Sequence, residues 1–362
     1  MGQGTFDAPT TAGAVSELRQ YNGRLRGWRQ QFPRGADDWE VVFWNEDLKG
    51  FFPSVPQDWL IADVESLLRE FVDGRAGTLK DEKNLVFTVF PKDPKRKTVC
   101  GLVRDPDGVH IPVKFVIPVL RHAQEASVFL CAGEVVRQIR GAFIGSPLSP
   151  AWCTISVMQR ERDWIRSALG RVLRCQDMWM ALRYVDNRLV LGFRNRSGVV
   201  LVPSSLLDSE LYLPPVALEK EPANDFVGVK IMTEGTTVET QYIVEGFDGI
   251  AKRGGVGSFP EQHRWRYRSS LSGGSQSVKV AGLLGRLHQA VRLSFPVPRA
   301  QKAAVQLVGV YVALGHRSEE VARAVSVIRK RYPQALGKVG ESLARAARRG
   351  DLAEIVRLHD GL

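Results

Sequence analysis

Two short apolar runs, each ending in an acid, constrain this chain more than any other feature. Val41-Val42-Phe43-Trp44 is β-prone and leads into Glu46-Asp47. The segment from Leu182 to Phe193 (LRYVDNRLVLGF) holds two β-prone runs around Asp186-Asn187. The pattern predicts a buried strand that ends in a carboxylate, and a hairpin with a carboxylate at its tip. An unpaired carboxylate in a buried strand is costly, and a divalent cation relieves that cost. Two strand-borne carboxylates from distant sequence suit a two-metal phosphoryl-transfer site. The plainer reading is a pair of acidic turn formers, and the two residues alone do not decide between them.

Elsewhere the periodicity predicts helices over 57–72, 125–140 and 151–169. An irregular or hairpin-bearing insertion occupies 79–120, and several short strands fall within 198–250. From 277 onward the chain reads as helix after helix: 277–293, 299–314, 318–331, 337–349 and 351–359. Its 362 residues are enough for two or three domains, and 44% hydrophobic with 25% charged residues excludes collagen-like or wholly disordered chains. Charge is unevenly placed. Residues 251–362 carry 20 Lys and Arg against 7 Asp and Glu, whereas the first 250 carry 30 against 32. A near-neutral body with a basic helical tail points to a polyanionic partner held by the tail.

Other features exclude more than they assert. The four cysteines form no CxxC pair, so they read as reduced thiols rather than a zinc knuckle or a disulfide framework. No apolar run reaches membrane-spanning length and residues 1–21 lack a signal-peptide core. The expectation is an intracellular location, nucleus or cytoplasm, with no membrane partner.

Three motifs surround the acids. Asp47-Leu48-Lys49-Gly50-Phe51-Phe52-Pro53-Ser54-Val55-Pro56 resembles the first palm motif of reverse transcriptases, in the form seen in Penelope-like retroelements. Gly145-Ser146-Pro147-Leu148-Ser149-Pro150 resembles that family's second palm motif, and Tyr184-Val185-Asp186-Asn187 its Tyr-x-Asp-Asp third. Each is weak alone, but they occur together in the family's order. Glu134 to Gly141 looks like the helix leading into the second motif. Phe226-Val227-Gly228-Val229-Lys230-Ile231 is similar to the strand that supports the primer end.

The resemblance implies an α+β polymerase palm, an antiparallel sheet backed by helices, with partial fingers and an all-helical basic thumb. Residues 1–40 would be a remnant of fingers, 41–250 the palm with a fingers-like insertion at 79–120, and 251–362 the thumb-like part. It implies an RNA-directed DNA polymerase of a retroelement that uses an RNA template, a DNA primer and deoxynucleoside triphosphates. Asp47 and Asp186 would ligate two Mg²⁺, for which Mn²⁺ can substitute. The Leu48 carbonyl would complete a metal shell, and Phe52 would be the ring that crowds a 2′-hydroxyl. Gln138, Gly145 and Lys220 would lie near the nucleotide. In the tail, Arg264-Trp265-Arg266-Tyr267-Arg268 interleaves cations with aromatics, a pattern that grips phosphates and stacks on bases, or else forms an amphipathic edge strand.

Two departures keep alternatives open. Asn187 replaces the second Asp of the third motif, and a neutral amide is a weaker cation ligand than a carboxylate. The 46 residues before Asp47 hold no Lys…Arg-x-Ile pattern of a fingers motif. The alternatives are a catalytically inactive nucleic-acid-binding relative or truncated element remnant, and an RNA-directed RNA polymerase. Phe52 argues against the last, because ribonucleotide selection favours a polar group at that place.

Overall fold

The computed structural model describes residues 6–31, 38–76, 85–93, 96–101, 105–142, 146, 148–167, 178–212, 217–221, 224–253, 267 and 275–362. The chain is a mixed fold of antiparallel sheets and helices. It divides into two compact units that interleave in sequence: 1–7, 46–176 and 203–219 form the first, and 8–45, 177–202 and 220–362 the second.

Helix α1 (Thr11–Gln31) leads to strand β1 (Trp39–Lys49), a single turn α2 (Phe51–Ser54) and helix α3 (Gln57–Ala76). Strands β2 (Val86–Val89), β3 (Val99–Gly101) and β4 (Val109–Pro112) form a small sheet in the order β3-β2-β4. Helix α4 (Val116–Glu125), hairpin β5 (Val128–Cys131) and β6 (Glu134–Arg137), and helix α5 (Ser149–Arg166) follow. The helix predicted over 125–140 is thus a hairpin. Val128, Phe129, Val135 and Val136 make the stretch β-prone, and Ala132-Gly133 turns it, both with positive φ.

Next come β7 (Met180–Tyr184), β8 (Asn187–Asn195), the turn α6 (Ser204–Leu207) and the strands β9 (Ala217–Lys220), β10 (Asp225–Phe226), β11 (Val229–Glu234) and β12 (Thr237–Tyr242). One four-stranded sheet runs β7-β8-β1-β9, and a three-stranded one β10-β11-β12. The tail is α7 (Phe247–Arg253), α8 (Gln276–Leu293), α9 (Val297–Ala313), α10 (Ser318–Arg331), α11 (Pro333–Arg349) and α12 (Leu352–Asp360). All five helices expected after residue 277 are present. Helix α11 starts earlier than expected because Gly337, at φ 38°, joins an initial turn to the main helix.

The first unit is built on Leu48, Phe51, Leu60, Val64, Trp152, Cys153 and Val157, where α3 and α5 pack. Polar groups lock the same surface. Asp63, almost buried, accepts from the Ser156 hydroxyl and from Arg160 Nη1 at 3.0 Å. Glu161, fully buried, accepts from the Phe6 backbone N–H at 3.1 Å and the Tyr212 hydroxyl at 3.3 Å. Such satisfied carboxylates tie segments distant in sequence without leaving an orphan charge.

In the second unit α1 lays Val15, Leu18, Tyr21 and Leu25 against Leu182, Leu189, Leu191 and Phe193 of the β7–β8 hairpin. Leu18 and Leu25, seven apart, share one face, as helical periodicity requires. The segment read as a fingers remnant therefore packs on the sheet. The tail folds around α9, whose Ala303, Val305, Leu307, Val308 and Val310 are wholly buried. Each such Val or Leu contributes about 1.5–3 kcal/mol of burial.

Three buried tyrosines give this unit a pH signature. Burial raises the pKa of Tyr21, Tyr267 and Tyr311, with Tyr267 pushed up to about 12 from 10.0. A folded pKa above the unfolded one means that stability is fully present below pH 10 and is lost as pH rises through the folded value. Urea unfolding is expected to be independent of pH from 8 to 9 on this account. By pH 11 Tyr267 alone should cost about 1 kcal/mol. Equal midpoints at pH 9 and 11 would contradict this.

Candidate functional site

Strand β1 places its residues differently from the apolar pattern. Phe43 and Trp44 are only half-buried, while Asn45 and Glu46 are buried at 7% and 6% exposure. Asn45 Nδ2 donates to the Asp225 carbonyl at 2.9 Å, and its own carbonyl accepts from the Glu221 backbone N–H at 2.9 Å. Asp47 is half-buried at the strand's end and Leu48 is fully buried behind it. Asp47 and Leu48 belong to the first unit and Asp186 to the second.

The first two motifs meet in the first unit. Phe51 is buried at 3% exposure while Phe52, edge-on to it at 5.7 Å, stays half-exposed. The Phe52 carbonyl accepts from the Ala142 N–H at 2.7 Å. Gln57 Nε2 donates to the Gln138 and Gly141 carbonyls at 3.2 and 3.1 Å. The Gln138 amide in turn donates to the Arg140 and Ala142 carbonyls at 2.8 and 3.2 Å, so its N–H groups shape this loop. Ser149 is buried at the start of α5 and caps nothing; Leu148 holds the N-cap position. Lys220 is exposed at the end of β9, and Gly145 lies outside the described residues.

The third motif is a two-residue hairpin turn. Tyr184 and Asn187 are paired, and Val185-Asp186 forms the tip. Val185 has φ 57°, a left-handed conformation that β-branched residues rarely adopt. Arg183 Nη1 donates to the Val185 carbonyl at 2.9 Å and clasps the turn. Arg183 and Arg188 are cross-strand partners and both are fully buried. The sequence reading missed them, although two Arg placed symmetrically about a turn within an apolar hairpin were the available signal. Asp186 is half-buried, and among the described residues no cation forms an ion pair with it. Val185→Gly is expected to stabilise the chain by about 0.5–1 kcal/mol, because glycine adopts positive φ without penalty. An unchanged or lower urea midpoint would show that the turn is unstrained.

The basic tail is partly neutralised. Arg299 pairs with Glu239 at 2.6 Å, Arg329 and Arg345 with Glu341 at 3.3 Å, and Arg348 with Glu319 at 3.7 Å. Arg349 pairs with Glu354. Tyr267 corrects an expectation. Its ring is buried against Tyr311 at 6.1 Å and under the Arg286 guanidinium at 4.8 Å, and its hydroxyl accepts from the Glu245 N–H at 3.0 Å. A ring so enclosed has no face left to stack on a base. Arg264, Trp265, Arg266 and Arg268 lie outside the described residues.

No protein-family model matches the chain, and a search of curated proteins finds no match. Solved structures do. Apo telomerase from Candida tropicalis is similar over 98% of this chain and 52% of that chain, at 14% identity and a TM-score of 0.47. Telomerase from Candida albicans in complex with the TWJ fragment of telomeric RNA is similar over 98% and 50%, at 12% identity and a TM-score of 0.48. The Candida tropicalis protein with the same type of RNA fragment gives 13% identity and 0.45. The chain spans about half the length of these relatives. Among the described residues no helix is long and apolar enough to cross a membrane.

Proposed function

We propose that this chain is the palm and helical thumb-like part of a retroelement reverse transcriptase of the Penelope-like kind. It extends a DNA primer on an RNA template with deoxynucleoside triphosphates. The observation that carries this reading is the third motif: an acid on a tight turn, next to a left-handed Val185 whose carbonyl accepts from the buried Arg183. Asp47, at the end of a strand, precedes it in the family's order, as does the Gly145–Pro150 segment.

Among the described residues no group of three or more His, Cys, Asp or Glu could hold a metal ion. The donor set offered by the motifs is instead two carboxylates, Asp47 and Asp186. Each is the ligand type that Mg²⁺ takes, one or two carboxylates beside water and substrate phosphates. Bound Mg²⁺ supplies a more acidic primer 3′-hydroxyl and neutralises charge on the nucleotide phosphates. Asn187 leaves the set one negative charge short of the family pattern. The half-exposed Phe52 ring, anchored by Phe51 and by the Ala142 bond to its carbonyl, excludes a 2′-hydroxyl and selects deoxynucleotides.

The test is extension of an oligo(dT) primer on poly(rA) with Mg²⁺. Incorporation of deoxythymidine well above uridine is the expected result. Asn187 favours a second reading, a relative that binds nucleic acid without chemistry; duplex binding with no incorporation under Mg²⁺ or Mn²⁺ would establish it. Neither binding nor incorporation would sink both.

A further inference from the structure

The β5–β6 hairpin of the first unit leaves one of its faces bare. Its register sets Leu130 opposite Val135 and Val128 opposite Arg137. Side chains directly opposite in an antiparallel pair stand on the same side of the sheet, so these four share one face. Val128, Leu130 and Val135 are 57%, 74% and 71% exposed, and Ile139, two residues beyond Arg137, is 84% exposed. Leu130, Val135 and Ile139 are the three most exposed large apolar side chains among the described residues. Single exposed apolar residues are ordinary, whereas a strip of them along one sheet face marks a contact surface.

The hairpin is also too small to stand uncovered. Among the described residues it is a sheet of two strands with no third partner. Two strands alone are marginal in water and need an apolar face packed against something. Cys131-Glu134 closes the two-residue turn, and the Gln138 N–H donates to the Ser127 carbonyl at 3.2 Å, so the pairing extends one step beyond the strands. The backbone groups of Val135 and Arg137 therefore point to the free edge, and no Pro blocks either strand.

We propose that this face binds the same face of a second copy of the chain, giving a two-fold dimer in which the two hairpins stack sheet on sheet. Area and self-complementarity decide the occupant. Val128, Leu130, Val135 and Ile139 expose on the order of 500 Å² in each copy, and a pair would cover ~1,000 Å², the lower limit of a specific interface. A two-fold axis lays a patch on its own copy, and a patch of Val, Leu and Ile needs no partner of opposite charge. Stacked sheets interdigitate such side chains. Arg137 is the one charged group on the hairpin face. It lies at the base of the hairpin, opposite Val128, and the angle between packed sheets leaves it at the wet rim. An interface at this lower limit gives micromolar affinity. The proposal is independent of the polymerase reading, since Asp47, Asp186, Phe52 and the tail take no part in it.

The experiment is sedimentation velocity of the full chain from about 1 to 100 μM, a range that brackets micromolar affinity. Reductant is present throughout, so that the exposed Cys131 thiol forms no disulfide. The unaltered chain is expected to pass from one copy to two as concentration rises. Leu130→Asp and Ile139→Asp should each weaken the dimer at least tenfold with no change in the urea midpoint, because both side chains are exposed. Val327→Asp places the same charge on an exposed apolar site of α10 in the other unit, and it should dimerise like the unaltered chain. A chain that remains single throughout the range would overturn the proposal, and so would a dimer that persists in both hairpin variants. An open series of larger species would also overturn it, because a two-fold contact closes at two copies. Flotation of a single-copy chain with phosphatidylglycerol vesicles, lost in Leu130→Asp, would assign the face to a lipid surface instead.

Discussion

Asp186→Ala is expected to lower deoxythymidine incorporation by roughly 100–1,000-fold while leaving the fold intact. The first half follows from charge. On the proposed reading, Asp186 is one of the two carboxylates that the motifs would offer to Mg²⁺, and the neutral Asn187 amide would not replace it. Loss of a group that positions transition-state charge is worth about 3–4 kcal/mol, and each 1.36 kcal/mol is tenfold in rate. The second half follows from the setting. Asp186 occupies the tip of a hairpin whose pairing, from Met180↔Leu191 to Tyr184↔Asn187, involves other residues. The clasp on the turn comes from Arg183 to the Val185 carbonyl, so the carboxylate is not part of it. The urea midpoint of Asp186→Ala should therefore stay within about 0.5 kcal/mol of the unaltered chain. Equal incorporation by the two proteins would remove Asp186 from the chemistry. A large loss of stability would mean instead that the acid is structural.

Gly141→Ala is expected to destabilise the chain by about 2–4 kcal/mol. Gly141 has φ 75°, where an L side chain is strained. A Cβ there would stand 2.5 Å from the Phe52 carbonyl oxygen, 2.6 Å from the Pro53 Cα and 2.7 Å from the Pro53 carbonyl carbon. All three are backbone atoms, so no rotamer change relieves the clash; the segments must separate. Separation would stretch the 2.7 Å bond from the Ala142 N–H to Phe52 and the Gln57 bond to Gly141. The measurement is urea unfolding, read as a lower midpoint at unchanged slope. Because Phe52 is the ring assigned to sugar selection, discrimination between deoxy- and ribonucleotides should fall with stability. A variant that unfolds at the same midpoint would show that the two motif segments are not packed backbone to backbone.

Much of the architecture is legible along the chain. The tail helices stand out because Ala, Leu, Val and Arg recur there at helical spacing, interrupted by Pro296, Pro333 and Gly350. The β7–β8 hairpin is legible because two β-prone runs, with Leu182 and Tyr184 in one and Leu189, Val190 and Phe193 in the other, flank the polar pair Asp186-Asn187. The 125–140 segment misleads, because Val128 to Val136 fits either period over so short a span and only the hairpin pairing separates them. Tyr267 misleads in another way. A cation–aromatic run looks like a nucleic-acid grip, but its Tyr267 ring belongs to the core shared with Tyr311.

The sequence by itself nominated the residues proposed to carry the chemistry: Asp47, Asp186 and the order of the three motifs around them. Residue type and spacing are local properties, and a carboxylate after an apolar run is readable without a fold. It also determined that the excess positive charge lies after residue 250. Only the tertiary structure decided what each neighbour does. It buried Arg183 and Arg188 behind the turn, spent the Gln138 amide on its own loop, and gave Arg299, Arg329, Arg345, Arg348 and Arg349 acidic partners. Such pairing depends on groups far apart in sequence and close in space. Arg19 and Arg292 lie 273 residues apart and share one hydrogen bond, which no pattern along the chain records.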